Sequence, residues 1–193
     1  MAELVASTGI ILEQASPPNG DVEVKRRVSG FIDYNDTGTA ATPITLAADT
    51  WTTITNNGAG AFSNDSYPPS DSSASPAAVS ELMDVSTGQF DFSELPLGST
   101  ALIRNDFTVT PSTNNALLRL RYQLGTGAGA YVLEKTVGRL DDGSGKGYRF
   151  SLEPDLIYMG DANTRDNPIA LQLNLSTAGT VVNAGSAIEV GQQ

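Results

Sequence analysis

Cysteine and histidine are both absent from the chain of 193 residues. Without cysteine the protein has no disulfide, no thiolate zinc site and no cysteine nucleophile. Without histidine it lacks the Ser-His-Asp triad and the side chain that most often serves as a general base. Among catalytic designs, those built only on carboxylates remain open for this composition.

Basic residues are scarce, because 11 Lys and Arg stand against 22 Asp and Glu and give a net charge of −11. The stretch from Val28 to Ile103 contains neither Lys nor Arg. Since phosphate groups are bound by clustered basic side chains, we expect neither nucleic acid nor an anionic membrane as a partner. No apolar run approaches the roughly 18 residues of a membrane span. The N-terminal residues lack the basic and apolar regions of a secretion signal.

Short strand patterns separated by turns follow one another from Phe31 onward. The clearest covers residues 118–124, where leucine and tyrosine alternate with Arg119, Arg121 and Gln123. Similar runs occupy residues 43–46, 51–55, 89–92, 100–110, 131–133, 148–152, 157–159, 171–175, 180–182 and 187–190. Their spacing of roughly 8–15 residues, without alternating helices, predicts an all-β sandwich or jelly roll. Residues 77–83 are the one helix candidate, and Trp51 is predicted to lie in the core.

The first 28 residues differ from the rest and are interpreted as an extended N-terminal arm, followed by the jelly-roll domain over residues 29–193. The arm carries Val5, Ile10, Ile11, Leu12, Val22 and Val24, interrupted by a Pro-Pro-Asn-Gly turn at residues 17–20. These aliphatic side chains favour docking on a partner; the alternative is a frayed terminus packed loosely on its own domain. Residues 63–78, rich in Ser, Pro and Asp, predict a long exposed loop that is either a tolerated insertion or a contact loop.

Two loops contain oxygen-bearing side chains that merit examination as metal sites. Residues 161–167 carry Asp161, Asn163, Asp166 and Asn167, but Arg165 and Gln172 break the calcium-loop pattern. A local role, in which Asn and Asp bond backbone groups of tight turns, is favoured there and at residues 141–142. We therefore predict no metal, no cofactor and no catalytic residue. A carboxylate-based glycan hydrolase is the remaining enzyme hypothesis, and no acid pair stands out for it.

Arg119 and Arg121 occupy the second face of the strand at residues 118–124. One interpretation is a solvated polar face, since exposed ion pairs contribute only about 0–1 kcal/mol. The other is a subunit contact in which the two arginines reach acidic side chains of a neighbouring copy. Both alternatives stay open at this point.

Three segments resemble a known family: WTTITNNGAGAF at residues 51–62, GQFDFSELPLGSTALIR at residues 88–104, and IYMGDANTRDNP at residues 157–168. Together they are similar to tailed-bacteriophage virion proteins that carry a jelly-roll domain like that of the tumour-necrosis-factor-like trimers. The resemblance covers roughly residues 31–190. The first 28 residues and the Ser/Pro-rich loop depart from the family pattern.

This resemblance implies a structural protein of the phage particle, without enzymatic activity, located at the capsid surface. Such domains assemble as trimers, so the expected partners are the major capsid protein and two further copies of this chain. The first hypothesis is a capsid decoration, or cement, protein held by its arm. The alternative is a receptor-binding or fibre module, and the carboxylate enzyme is the third.

Overall fold

A computed structural model describes residues 10–14, 22–26, 29–36, 38–55, 82–84, 87–142 and 144–192. The predicted loop at residues 63–78, the start of the helix candidate at residues 77–81, and Val5 lie outside these residues. No helix in the part of the chain that is described has the length and apolar character needed to cross a membrane.

The described residues are built almost entirely of strands. In chain order these are β1 Ile10–Gln14, β2 Val22–Arg26, β3 Ser29–Asn35, β4 Ile44–Leu46, β5 Thr52–Thr53, β6 Met83–Asp84, β7 Gln89–Phe90, β8 Thr100–Pro111, β9 Ala116–Leu124, β10 Tyr131–Leu140, β11 Tyr148–Ser151, β12 Asp155–Tyr158, β13 Ala170–Leu175 and β14 Gly179–Gly191. A 3-10 turn at Gly127–Gly129 and the short helix α1 at Ala162–Arg165 complete the described elements.

Two antiparallel sheets form the body of the molecule. A six-stranded sheet has the order β11-β8-β14-β3, with β12 also pairing β8 and β4 also pairing β14, and a four-stranded sheet has the order β10-β9-β13-β5. Eight strand positions along the chain define the connectivity: β3, β5, β8, β9, β10, β11–β12, β13 and β14. In spatial order, one sheet contains the first, eighth, third and sixth of these positions, and the other contains the second, seventh, fourth and fifth. This alternation between two sheets is the jelly-roll connectivity, so the predicted fold class is confirmed.

The core lies between the sheets and follows the predicted alternation. In β8, Ile103, Phe107 and Val109 are buried, while Arg104 on the opposite face is exposed. In β9 the buried face consists of Ala116, Leu118, Leu120, Tyr122 and Leu124. Because successive side chains of a strand point to opposite faces, a period of two in the sequence becomes one apolar face and one polar face.

The last strand is one long strand, whereas the sequence predicted two short ones at residues 180–182 and 187–190. β14 is continuous over Gly179–Gly191 and pairs β8 along its whole length, with a bulge between Asn183 and Gly185. Gly185 has a φ of 125°, and a Cβ there would lie 1.9 Å from the carbonyl oxygen of Tyr34. The bulge shifts the side-chain alternation by one residue, and it is this shift that divided the strand into two apparent patterns.

The prediction that Trp51 lies in the core is wrong. Trp51 is half-buried and outside the core, because it shares the outward side of its chain segment with Thr53, whose hydroxyl accepts a hydrogen bond from Gln172. Of the helix candidate at residues 77–83, the described part is Leu82 and Met83, which are both buried, and Met83 begins strand β6. The backbone N–H of Leu82 donates to the hydroxyl of Tyr34 over 2.7 Å.

Strands β1 and β2 form a small antiparallel sheet of their own in the predicted arm, with Leu12 opposite Val24 and Gln14 opposite Val22. The sequence pattern did not indicate these strands, since Ile10, Ile11 and Leu12 are consecutive and show no alternation. The docking role of the arm stays a prediction.

Candidate interaction surfaces

The outer face of the six-stranded sheet carries an apolar row that crosses several strands. Leu156 of β12 lies opposite Leu102 of β8, and Glu189 of β14 lies between Leu102 and Phe31 of β3. The exposed fractions are 57% for Leu156 and 37% each for Leu102 and Phe31, and Tyr158, two residues beyond Leu156, is 55% exposed. We call these four apolar residues the sheet patch. Large apolar side chains gathered in this way mark interaction surfaces more often than isolated ones do.

A second exposed apolar group lies on β10, the edge strand of the four-stranded sheet. Tyr131, Val132 and Leu133 are 41%, 47% and 40% exposed, respectively. Tyr131 and Leu133 pair with Leu124 and Tyr122, so their positions belong to the core-facing side of the sheet although both are exposed. An edge strand with apolar side chains is a surface that proteins usually cover or protect.

A buried polar network connects the two sheets beside this edge. Ser186 donates to Asn105 over 2.7 Å, the amide nitrogen of Asn105 donates to the hydroxyl of Tyr122 over 2.6 Å, and Tyr122 donates to Asp155 over 3.1 Å. The Nζ of Lys135 lies 2.6 and 2.7 Å from the two oxygens of Asp155. Lys135 is in β10 and Asp155 in β12, so this ion pair links the edge strands of opposite sheets.

The protonation of Tyr122 follows from its surroundings. Burial, followed by the negative charge of Asp155, raises the pKa of Tyr122 well above its ordinary value of 10.0. The hydroxyl therefore stays protonated at neutral pH and donates to the carboxylate. Because Asn105 and Tyr122 are each 1% exposed, the network forms part of the core rather than a solvent-accessible acid–base site.

The outer face of the four-stranded sheet positions Arg119 and Arg121. Their guanidinium carbons lie 5.3 and 4.3 Å from the ring centre of Trp51, within the range of cation–π attraction. Arg119 also donates to Glu134 over 3.3 Å and to Asn174 over 3.0 Å. Their predicted contact with another subunit stays a prediction, and in this chain both side chains are half-buried against Trp51.

The loop at residues 161–167 has the local role that its sequence favoured. Asp161 accepts a hydrogen bond from the backbone N–H of Thr164 over 2.8 Å and begins helix α1. Asn163 accepts from the backbone N–H of Thr126 over 3.1 Å, and Asn167 donates to the carbonyl of Asn163 over 2.8 Å. These bonds connect the loop to the turn that precedes β10. Among the described residues, no group of three or more acidic, histidine or cysteine side chains could hold a metal.

Sequence reasoning missed the sheet patch and the inter-sheet network. Leu102 shares a strand face with Arg104 and Asp106, so the period of two already placed it outside the core. The network had no such signal. Asn105, Tyr122 and Asp155 lie on three different strands and meet only through the fold.

The fold and these surfaces define a jelly-roll β-sandwich protein with an apolar patch on one outer face and a row of polar side chains on the other. No protein-family model matches the chain, and no curated protein matches it. Solved structures with similarity include PRD1 vertex protein P5, at 18% identity and a TM-score of 0.40, covering 98% of this chain and 85% of that one. Eiger TNF from S. frugiperda has 8% identity and a TM-score of 0.38, over 88% of this chain and 94% of the other. A chain of the T13 IBDV viral particle has 13% identity and a TM-score of 0.35, over 96% and 63% of the two chains.

Proposed function

We propose that this chain is a structural protein of a bacteriophage particle, which decorates and stabilises the capsid surface as a homotrimer. The proposal has two parts, one for association between copies and one for attachment to the shell. The resemblance of residues 51–62, 88–104 and 157–168 to virion proteins supports the overall role. The sheet patch is the observation that carries the association.

Two different apolar surfaces on one chain favour ring formation. A closed ring of three copies requires a heterologous contact, in which one surface of a copy meets another surface of its neighbour. The sheet patch and the exposed edge strand β10 are such a pair, because they belong to opposite sheets. Covering Leu156, Tyr158 and Leu102 removes apolar area from water, at about 25 cal/mol per Å² buried. A stable interface of this kind buries about 800 Å² on each partner.

The mass of the purified protein in solution tests the association between copies. Sedimentation analysis should give three times the 20.2 kDa chain mass. Leu156→Asp should shift the mass towards that of a single chain, because the added carboxylate would have to be buried in the contact. Thr45→Asp is the matched control, since Thr45 is exposed and lies opposite Thr180 at the far end of β14. A single-chain mass for the unaltered protein would refute the trimer, and equal masses for the two variants would refute the role of the sheet patch in it.

Attachment to the major capsid protein is assigned to the arm. Changing Ile10, Ile11 and Leu12 together to Asp should abolish binding to capsids while the sedimentation mass stays unchanged. If this variant still coats the heads fully, the arm is not the anchor. The copy number per particle tests the location, because a value that matches the capsid lattice supports a decoration protein and a small number supports the fibre alternative.

A further inference from the structure

The polar side chains on the outer face of the four-stranded sheet form an ordered row. The register places Thr53, Gln172, Arg121 and Glu134 side by side on β5, β13, β9 and β10. Gln172 donates to Thr53 over 3.2 Å and accepts from the Nε of Arg121 over 2.7 Å. Thr53, Gln172 and Arg121 are thus held by their neighbours in the row, and Glu134 is held by Arg119, which reduces the conformational entropy lost when a ligand binds.

Arg121 has binding capacity that the described chain leaves unused. Its Nε is occupied by Gln172, and its guanidinium lies 4.3 Å from the centre of the Trp51 ring. Within the described ranges, no carboxylate forms an ion pair with Arg121, whereas Arg119 is paired with Glu134. The two terminal nitrogens of Arg121 remain available, and a guanidinium binds carboxylates through paired N–H donors.

The neighbours of Arg121 indicate a hydroxyl-rich ligand rather than a protein surface. Gln172 and Glu134 flank it across the sheet, and Arg119 and Gln123 flank it along β9. All four are polar, and glutamate is depleted in protein interfaces, although arginine and tryptophan are enriched there. The sheet patch on the other sheet has the apolar character that suits a protein partner. On this face the immediate neighbours of Arg121 are polar, and the exposed Val132 lies on the edge strand, opposite Gln123.

Trp51 supplies a large flat aromatic ring at this site. The guanidinium groups of Arg119 and Arg121 already lie 5.3 and 4.3 Å from its centre, so a ligand would stack on the part of the ring that they leave uncovered. The face of an aromatic ring is electron-rich and attracts the partly positive C–H groups of a ligand. A sugar ring combines a C–H face with hydroxyl groups at its rim, which amide and hydroxyl side chains can bind. We propose that this face binds an acidic saccharide, with the sugar ring against Trp51 and its carboxylate on Arg121.

Fluorescence offers a direct test, since Trp51 is the only tryptophan of the chain. The full-length protein is applied to immobilised oligosaccharides that contain uronic or sialic acid, each beside its neutral parent. The acid-bearing member that binds most strongly is then titrated in solution while the tryptophan emission is followed. We expect binding of acidic saccharides over their neutral parents, with a saturable change in emission. Equal binding of both kinds, no binding, or an unchanged emission would overturn the proposal.

Variants assign the effect to the site. Arg121→Gln should weaken binding roughly tenfold or more, as expected when a charge-assisted hydrogen bond is lost. Arg149→Gln is the matched control, because Arg149 is exposed on the outer side of β11 in the other sheet, and this change should leave binding unaltered. A tetraglutamate peptide that changes the emission as strongly as the sugars would identify an acidic polypeptide site instead and refute the saccharide. Loss of the oligomer in Arg121→Gln would assign the residue to a subunit contact and equally refute it.

Discussion

Replacing Tyr122 with Phe removes a single oxygen from the centre of the network that joins the two sheets. The ring remains, so no large cavity forms, and the cost comes from the hydrogen bonds. Asp155 keeps Lys135 at 2.6 and 2.7 Å and is partly exposed, so it remains well solvated in the variant. Asn105 has no such access to water, because it is 1% exposed. Its amide nitrogen would lose the Tyr122 hydroxyl to which it donates over 2.6 Å.

The expected loss of stability is therefore dominated by the orphaned amide of Asn105. A buried donor without a partner costs about 1–3 kcal/mol, and the lost bond to the carboxylate adds a fraction of the roughly 1.5–3 kcal/mol typical of charged pairs. We expect the free energy of unfolding to fall by about 2–4 kcal/mol. Urea titration at fixed protein concentration, followed by circular dichroism, measures it through the midpoint at unchanged slope.

Tyr148→Phe is the control for the loss of a tyrosine hydroxyl. Its hydroxyl accepts from the backbone N–H of Asp142 over 2.6 Å in an exposed turn, where water can replace it. The cost should stay below about 1 kcal/mol. If the two variants lose equal stability, the network does not hold the sheets together in the way described. In a double variant with Asn105→Ala, the loss should be smaller than the sum of the single losses, because the orphaned donor is gone.

Two further predictions concern pH and a turn. The raised pKa of Tyr122 means that its contribution to stability is complete below pH 10 and declines as the pH rises from there towards the folded-state value. The stability difference between the unaltered protein and Tyr122→Phe should thus narrow by about 1.4 kcal/mol per pH unit in alkaline urea titrations, and a difference that grows would contradict the assignment. Gly125→Ala should destabilise the protein more than Gly127→Ala in thermal unfolding. Both glycines have a positive φ, of 67° at residue 125 and 62° at residue 127. A Cβ at residue 125 would lie 2.5 Å from the side-chain amide of Asn163, whereas a Cβ at residue 127 would meet nothing within 4 Å. Equal melting temperatures for the two variants would show that Asn163 moves away freely.

The strands with strict alternation could be predicted from the sequence because their pattern arises within a single strand. Leu118 and Leu120 are separated from each other by one polar residue, and each faces the core wherever its strand is placed. The prediction for Trp51 failed because aromatic character does not reveal which side of a strand faces the core. That side was decided by Thr53 and its bond to Gln172, a residue 119 positions away in the chain.

The interaction surfaces could be predicted only in part, because each is built from several strands. The polar character of Arg119 and Arg121 was evident from the sequence. Their stacking on Trp51 was not, because it brings β9 against the residue before β5, which is distant in the chain. The sheet patch joins Phe31, Leu102 and Leu156, which come from three strands and align only through the register of the sheet. The alternation in a sequence indicates the two faces of a single strand, whereas an interaction surface is formed by several neighbouring strands.

The pairing of β3 with β14 offers a route to peptide display. Ser29 lies opposite Gly191, so β3 begins and β14 ends at the same end of the sandwich. The exposed turn at residues 112–115 lies at the opposite end, where Ser112 bonds Ala178 at the start of β14. A tag attached just beyond β14 would lie at the end where β3 begins, and an epitope inserted into the turn would project the other way. On the capsid assembly proposed above, comparing antibody access to the two labels would show which end of the sandwich points outwards.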